Sequence, residues 1–270
     1  MTMRREGVVC AIGAFVVAGL AAMAQESVSA QAGAAAPPQR VAVTTTQIKP
    51  DMIATWRDLI QKEAVPAFKK AGVPWRWVFS SGPLGGQAFT FVTVTPVANF
   101  AQYDQPPAIQ RAMGQDGAAK YNAKLLPTIV SSHTVIQTLI SQASLQSFSS
   151  TPPVLARVAT TQLLPGKGPE FTQITASEFL PALKKAGVTD YLVFATTYGG
   201  QGNERTIVTL LSKYADLDAP NPFVRALGQE AAQKLNQKRA ALTSGTEAIV
   251  LRFVPELSYG VPAKPTGSTR

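Results

Sequence analysis

Three aromatic residues that alternate along one short segment are the first candidates for a binding site. Trp75, Trp77 and Phe79 occupy every second position, and alternate residues of a β-strand project from the same face. If that face borders an internal space, it offers an aromatic pocket for a flat apolar ligand. The same three rings could instead fill a hydrophobic core. The sequence leaves both interpretations open.

The single histidine is the next residue that could do chemistry. His133 is the only histidine of the chain, and an imidazole could act as a general base. One imidazole with no second ligand cannot hold a typical zinc or iron site. We therefore predict no metal site, and we expect His133 to be a hydrogen-bonded strand residue.

A polar stripe is the third candidate, and it occurs twice. Its members are spaced four, three and four residues apart, which places them on one side of a helix. The stripes are Arg111, Gln115, Ala118 and Asn122, and then Arg225, Gln229, Ala232 and Asn236; Tyr121 lies roughly opposite the first. These residues could bind an anion or join two halves of the protein, or they could lie on a solvated face.

Several function classes are excluded by what the sequence lacks. Cys10 is the only cysteine and lies in an apolar N-terminal run, so a processed chain has no thiol for catalysis, disulfides or metal binding. The glycine-rich segment 82–86 is not followed by a helix, which rules out a phosphate-binding loop. The net charge of +9 is dispersed along the chain, so we expect no nucleic-acid partner.

An internal repeat organises the rest of the chain. Residues 63–73 (EAVPAFKKAGV) recur as 178–188 (EFLPALKKAGV), a displacement of 115 (181 − 66). Residues 111–115 (RAMGQ) recur as 225–229 (RALGQ), a displacement of 114 (225 − 111). In this alignment Glu247 corresponds to His133. A repeat of this length predicts two similar structural units.

Periodicity predicts the same order of elements, βαββαβ, in both copies. The first copy has strands at 41–48, 75–80, 87–95 and 130–140, with helices over 52–68 and 109–126. The second copy has strands at 158–163, 191–196, 205–210 and 247–254, with a long final helix over 223–242. Pro66 and Pro181 lie inside the first helix of each copy, so we predict a kink or a restart there.

The chain ends and the joint between copies have a different composition. Arg4 and Arg5 precede an apolar run that ends in Ala22-Met23-Ala24, which is typical of a secretory signal peptide over 1–24. We predict a disordered lead-in at 25–39, repeat 1 at 40–141, a linker at 142–153, repeat 2 at 154–258 and a tail at 259–270. The expected location is the periplasm or the extracellular space, without a membrane span after cleavage of the signal peptide.

The element order, the length of each half, the KKAGV helix end and the tandem copy together resemble the dimeric α+β barrel superfamily. This superfamily includes antibiotic-biosynthesis monooxygenases, NIPSNAP-type domains, stress-responsive barrels and chlorite dismutases. The resemblance implies an α+β fold in which two tandem ferredoxin-like βαββαβ units pack sheet against sheet within one chain. Such a pseudo-dimer would be complete as a monomer.

The resemblance and the residues together lead to three hypotheses of function. The first is an exported cell-envelope protein that binds a small apolar or aromatic molecule or serves as an interaction module, with no cofactor. The second is an enzyme similar to cofactor-independent monooxygenases. The third is a haem-binding protein, since relatives use an axial histidine and His133 could supply one. Candidate ligand-binding residues are Trp75, Trp77, Phe79, Tyr121, Asn122, His133, Arg111, Arg225, Asn236 and Glu247; catalytic residues cannot be assigned.

Overall fold

The structure is a computed structural model, and it describes residues 39–146 and 152–262. Both ranges belong to one compact unit that spans Ala36–Arg270. The predicted signal peptide with Cys10, nearly all of the predicted lead-in, and parts of the predicted linker and tail lie outside the described residues.

Eight antiparallel strands form one closed barrel. The strands are β1 (Arg40–Ile48), β2 (Trp77–Ser81), β3 (Thr90–Val97), β4 (Ile129–Leu139), β5 (Leu155–Leu163), β6 (Leu192–Tyr198), β7 (Glu204–Leu211) and β8 (Thr243–Phe253). Around the barrel they follow the order β1-β3-β2-β8-β5-β7-β6-β4, and β4 returns to β1. Two of the ladders, β2 with β8 and β4 with β6, join the two halves of the chain and form the seams of the barrel.

The prediction of two ferredoxin-like units that pack sheet against sheet is wrong. At one seam β2 pairs with β8, where Phe79 lies opposite Phe253, and at the other β4 pairs with β6, where Leu139 lies opposite Phe194. Strands that would be open edges in separate sheets are therefore hydrogen-bonded across the halves. Closing the barrel gives partners to backbone groups that an edge strand leaves unpaired.

Helices cover the outside of the barrel. In the first half these are α1 (Ile53–Leu59), a π-helical turn (Ile60–Ala64), α2 (Val65–Lys70) and α3 (Ala108–Leu125). In the second half they are α4 (Gly168–Ile174), a π-helical turn (Thr175–Phe179), α5 (Leu180–Lys185), α6 (Pro222–Leu227) and α7 (Gln229–Ala240). Short 3-10 turns lie at Pro50–Met52, Phe100–Tyr103, Leu126–Thr128, Ser141–Ala143, Tyr214–Leu217 and Pro255–Leu257.

The kink or restart predicted at each proline takes the form of a change from a π-helical turn to an α-helix. Pro66 and Pro181 lie in the first turns of α2 and α5, directly after the π-helical turns. Proline has no N–H to donate to the carbonyl four residues earlier, and the wider π turn changes the hydrogen-bond spacing at that point. The chain stays helical through both turns, since the residues that flank them have right-handed helical dihedrals.

The prediction of one long final helix in the second half is wrong, because a glycine divides it into two helices. Gly228 has φ 82° and ψ 167° and separates α6 from α7. Gly114 adopts φ 75° and ψ 174° inside α3 and breaks that helix at the corresponding place. This backbone region is open essentially only to glycine.

Alternation along the strands produces two kinds of hydrophobic core. Outward-facing residues such as Val78 and Phe91 pack under the first pair of helices with Trp56, and the Trp56 and Phe91 ring centroids are 4.3 Å apart. Inward-facing residues such as Trp77 and Leu251 form a separate cluster inside the barrel. The inner cluster brings the predicted aromatic face into the barrel. Within the described residues, no helix is both long enough and apolar enough to cross a membrane.

Candidate functional site

The interior of the barrel contains a cavity of about 510 Å³. This volume lies within the range of pockets that hold small organic ligands. Every strand contributes to the wall, and most of the side chains are apolar. The apolar part comprises Val41, Val43, Trp75, Trp77, Phe79, Val92, Val94, Val135, Leu139, Ala156, Val158, Leu192, Phe194, Val208, Leu210, Ile249, Leu251 and Pro262.

One side of the cavity is an aromatic wall formed by Trp75, Trp77 and Phe79. The three side chains are buried, and successive rings meet edge to face with centroids 6.1 and 6.3 Å apart. Phe253 across the seam extends the wall, with its centroid 5.7 Å from Trp77. The Trp77 indole donates its N–H to the carbonyl of Gly260 at 3.0 Å. Its polar atom therefore has a partner, and the ring presents an apolar surface.

A polar corner lies on the strands β4 and β7 and comprises Gln137, Glu204 and Thr206, all of which border the cavity. Gln137 donates from Nε2 to Thr206 Oγ1 at 2.7 Å. Two further side chains hold the carboxylate of Glu204: Gln162 donates to Oε2 at 3.0 Å, and Thr196 donates to Oε1 at 3.2 Å. The cavity thus joins an apolar wall to a fixed set of hydrogen-bonding groups.

His133 also borders the cavity, at an exposed part of β4. It lies opposite Thr45 in the β1–β4 ladder, and Thr45 borders the cavity too. No group of three or more possible metal ligands occurs among the described residues. The described lining contains no arginine or lysine that could pair with the two propionates of a haem, and it contains the carboxylate of Glu204. These residues do not fit haem.

The other candidate residues lie away from the cavity. Tyr121 is buried in the outer core of the first half, beneath the helices. Arg111 donates to the carbonyls of Pro106 and Ala71 on the surface. Asn122, Arg225, Asn236 and Glu247 are exposed. The barrel wall therefore brings together Trp75, Trp77, Phe79 and His133, and it separates them from the polar helical stripe.

Arg76 is a buried charge that the sequence analysis did not single out. It lies between Trp75 and Trp77 and points away from the cavity, with a relative exposure of 4%. Its guanidinium donates to the carbonyl of Leu257 at 2.7 Å and to Thr93 Oγ1 at 3.3 Å. Burial lowers the pKa of Arg76 to about 10, although the nearby Tyr121 and Tyr259 counteract that shift. Through this hydrogen bond Arg76 holds the segment around Leu257 against the outside of the barrel.

The sequence analysis also missed the polar corner. A signal was present for Gln137, which alternates with Val135 and Leu139 along one strand and is the polar member of an inward-facing series. No comparable signal marked Glu204. It precedes the segment predicted as a strand, and its position beside Gln162 depends on the register of β5 with β7.

The barrel is similar to solved structures that share little sequence with it. A putative monooxygenase from Lactobacillus acidophilus NCFM superposes with a TM-score of 0.53 at 7% identity, over 83% of this chain and 98% of that one. A putative monooxygenase from Fusobacterium nucleatum gives 0.52 at 10% identity, over 80% and 92%. An anthrone oxidase-like protein gives 0.52 at 12% identity, over 80% and 91%.

No protein-family model and no curated protein matches the chain. At these identities the structural similarities show the fold alone. They show that the barrel fold is shared with these proteins, and membership of the dimeric α+β barrel superfamily stays a prediction. A tandem fusion as the origin of the two halves stays a prediction.

Proposed function

We propose that the protein binds a small, flat, apolar molecule inside the barrel. The observation that carries this proposal is the cavity of about 510 Å³ behind the aromatic wall of Trp75, Trp77 and Phe79. A closed barrel of eight strands has just enough interior either to be filled by side chains or to hold one small ligand. Here large rings occupy one side, and the rest of the space is bounded by smaller side chains such as Ala156 and Val158.

A cavity-filling variant tests this proposal. The uncharged dye N-phenyl-1-naphthylamine fluoresces strongly in apolar surroundings, and we expect one molecule to bind per chain. Val158→Trp places an indole inside the cavity and should abolish the fluorescence increase. Val130→Trp is the matched control, because Val130 is 54% exposed and does not border the cavity. Binding that survives Val158→Trp, in a variant with an unchanged circular dichroism spectrum, would place the dye elsewhere.

Oxidation of the bound molecule by dioxygen is a second candidate function. It is favoured by the fold shared with two putative monooxygenases and an anthrone oxidase-like protein. Of the candidate ligand-binding residues, Trp77 and His133 border the cavity, whereas Tyr121 and Asn122 do not. Oxygen consumption with quinol-type substrates that falls in both Trp77→Ala and His133→Ala, but not in Asn122→Ala, would support this function. Unchanged consumption in all three variants would contradict it.

A further inference from the structure

The two sides of the cavity differ in chemistry, and the difference follows the order of the strands. Trp77 and Phe79 lie on β2, whereas Glu204 and Thr206 lie on β7. In the closed order β2-β8-β5-β7, two strands separate them in one direction and more in the other. The aromatic wall and the carboxylate therefore face one another across much of the barrel. A ligand that stacks on the wall extends towards Glu204.

Glu204 retains hydrogen-bonding capacity that nothing in the described protein uses. An ionised carboxylate can accept about four hydrogen bonds. Each oxygen of Glu204 accepts one from a side chain, from Thr196 to Oε1 and from Gln162 to Oε2. None of the ion pairs formed within the described residues includes Glu204. Its two donors fix the carboxylate in place, and the residue borders the cavity.

This arrangement is specific to the second half of the chain. The position that corresponds to Glu204 in the first half is Thr90 (204 − 114). Equivalent strand pairings show this, since Gln47 lies opposite Thr90 and Gln162 lies opposite Glu204. Thr206 corresponds in the same way to Val92 (206 − 114). The ligand is therefore offered one carboxylate, the only one in the described lining of a mostly apolar cavity. An asymmetric ligand fits such a cavity in one orientation.

We propose that Glu204 is a specificity residue that accepts a hydrogen bond from the ligand. The preferred ligand is then a flat apolar molecule with a hydroxyl or amino group at the end opposite its stacked ring. This inference rests on the proposed function of the cavity. A ligand without a donor leaves the carboxylate facing an apolar group, which costs hydration without compensation. A ligand with its own carboxylate meets a like charge and is rejected.

Three naphthalenes of similar size distinguish these cases: 2-naphthol donates a hydrogen bond, 2-methoxynaphthalene does not, and 2-naphthoate is an anion. Binding to the full chain is measured by displacement of N-phenyl-1-naphthylamine. Because hydrogen bonds to a charged acceptor are roughly twice as strong as neutral ones, we expect about tenfold tighter binding of 2-naphthol than of 2-methoxynaphthalene. The anion 2-naphthoate should bind most weakly.

Substitutions of Glu204 then test whether this residue causes the preference for 2-naphthol. Glu204→Met removes the acceptor and should abolish the advantage of 2-naphthol. Glu204→Gln removes the charge, keeps the size of the side chain and should strengthen binding of 2-naphthoate; it also serves if the Met variant does not fold. Glu247→Gln is the matched control, since Glu247 is exposed and does not border the cavity, and it should behave as the wild type.

The possible failures are distinguishable. If none of the three compounds and no dye binds the wild type, the proposed function of the cavity is wrong, and the inference falls with it. If all three bind with equal affinity, or if the preference for 2-naphthol persists in both Glu204 variants, the cavity binds ligands but Glu204 does not select them. That second result overturns the inference alone.

Discussion

At the scale of single residues, the two halves share a backbone plan but not a cavity surface. Trp75 and Trp77 correspond to Asp190 and Leu192 (190 − 75 and 192 − 77 both give 115). The two indole rings of the aromatic wall therefore have no aromatic counterpart in the other half, whereas Phe79 corresponds to Phe194 (194 − 79 = 115). Because a strand exposes every second residue to the interior, a few such differences are enough to make a repeated barrel asymmetric inside.

The buried Tyr121 leads us to predict that the protein loses stability at high pH. Burial raises the pKa of Tyr121 from 10.0 to about 12, the Glu63 carboxylate adds to the shift, and Arg76 opposes it. Between those pH values the unfolded chain releases this proton and the folded chain keeps it, so stability falls as pH rises. A shift of about two pKa units corresponds to about 2 to 3 kcal/mol.

The variant Tyr121→Phe should remove that share of the alkaline loss, as measured by urea unfolding at pH 9 and pH 11.5. The variant must be compared with the wild type at each pH, because the lowered pKa of Arg76 has the opposite effect in the same range. Tyr198→Phe, at a ring that is 60% exposed, is the control and should follow the wild-type curve. Parallel losses in all three proteins would contradict the assignment to Tyr121.

At the scale of elements, the halves repeat even their irregularities. The π-helical turns Ile60–Ala64 and Thr175–Phe179 are offset by 115 (175 − 60), and the helix breaks at Gly114 and Gly228 are offset by 114 (228 − 114). A proline after the π turn and a glycine at the break account for both features locally. The breaks reorient the helix pairs that cover the barrel.

Gly228→Ala tests the cost of the helix break. A Cβ at this position would meet no atom within 4 Å, so the cost comes from the backbone, with φ at +82°. We expect the free energy of unfolding to fall by about 1 to 3 kcal/mol. Gly202→Ala is the matched control, because that position is equally open and has no positive φ. Equal stabilities of the two variants in urea would show that the break carries no strain.

At the scale of the whole molecule, two short seams close the barrel. The β2–β8 ladder pairs Phe79, Ser80 and Ser81 with residues of the other half, and the β4–β6 ladder contains a register shift. Some ladders within a half, such as β1 with β3, are longer. The seams nevertheless cover β2 and β4, which would otherwise be edge strands beside an apolar surface.

A chain limited to residues 40–141 should therefore not persist as a folded monomer. It would expose the unpaired edges of β2 and β4 and the inward-facing side chains of Trp77, Phe79 and Val94, and such surfaces promote association. Size-exclusion chromatography with light scattering should show dimers or larger species. The chain 25–270 is the control. A monomeric half with a cooperative unfolding transition would contradict this account of the seams.

Export also concerns the whole molecule, and it stays a prediction. If residues 1–24 are a signal peptide, the protein recovered from the periplasm or the medium begins at Gln25. Cleavage after Ala30 would instead give Gln31. Mass spectrometry of the intact protein distinguishes these masses, and recovery of a cytoplasmic protein that still begins at Met1 would refute the signal peptide.

The sequence by itself determined the features that depend on neighbours along the chain. Strand alternation placed Trp75, Trp77 and Phe79 on one face, and the repeat predicted two sets of βαββαβ elements. The prolines predicted a kink or a restart at Pro66 and Pro181, where the structure has a π-helical turn followed by an α-helix. Each of these features follows from side-chain geometry or backbone chemistry within a few residues.

Only the tertiary structure decided which strands meet across the halves. That pairing replaced two stacked sheets with one closed barrel and put the carboxylate of Glu204 opposite the aromatic wall. It also left Tyr121 and Asn122 outside the cavity, although both had seemed candidates beside His133. Strand order and register between distant segments depend on how edges and apolar faces are buried together, and a single sequence carries no local signal for that choice.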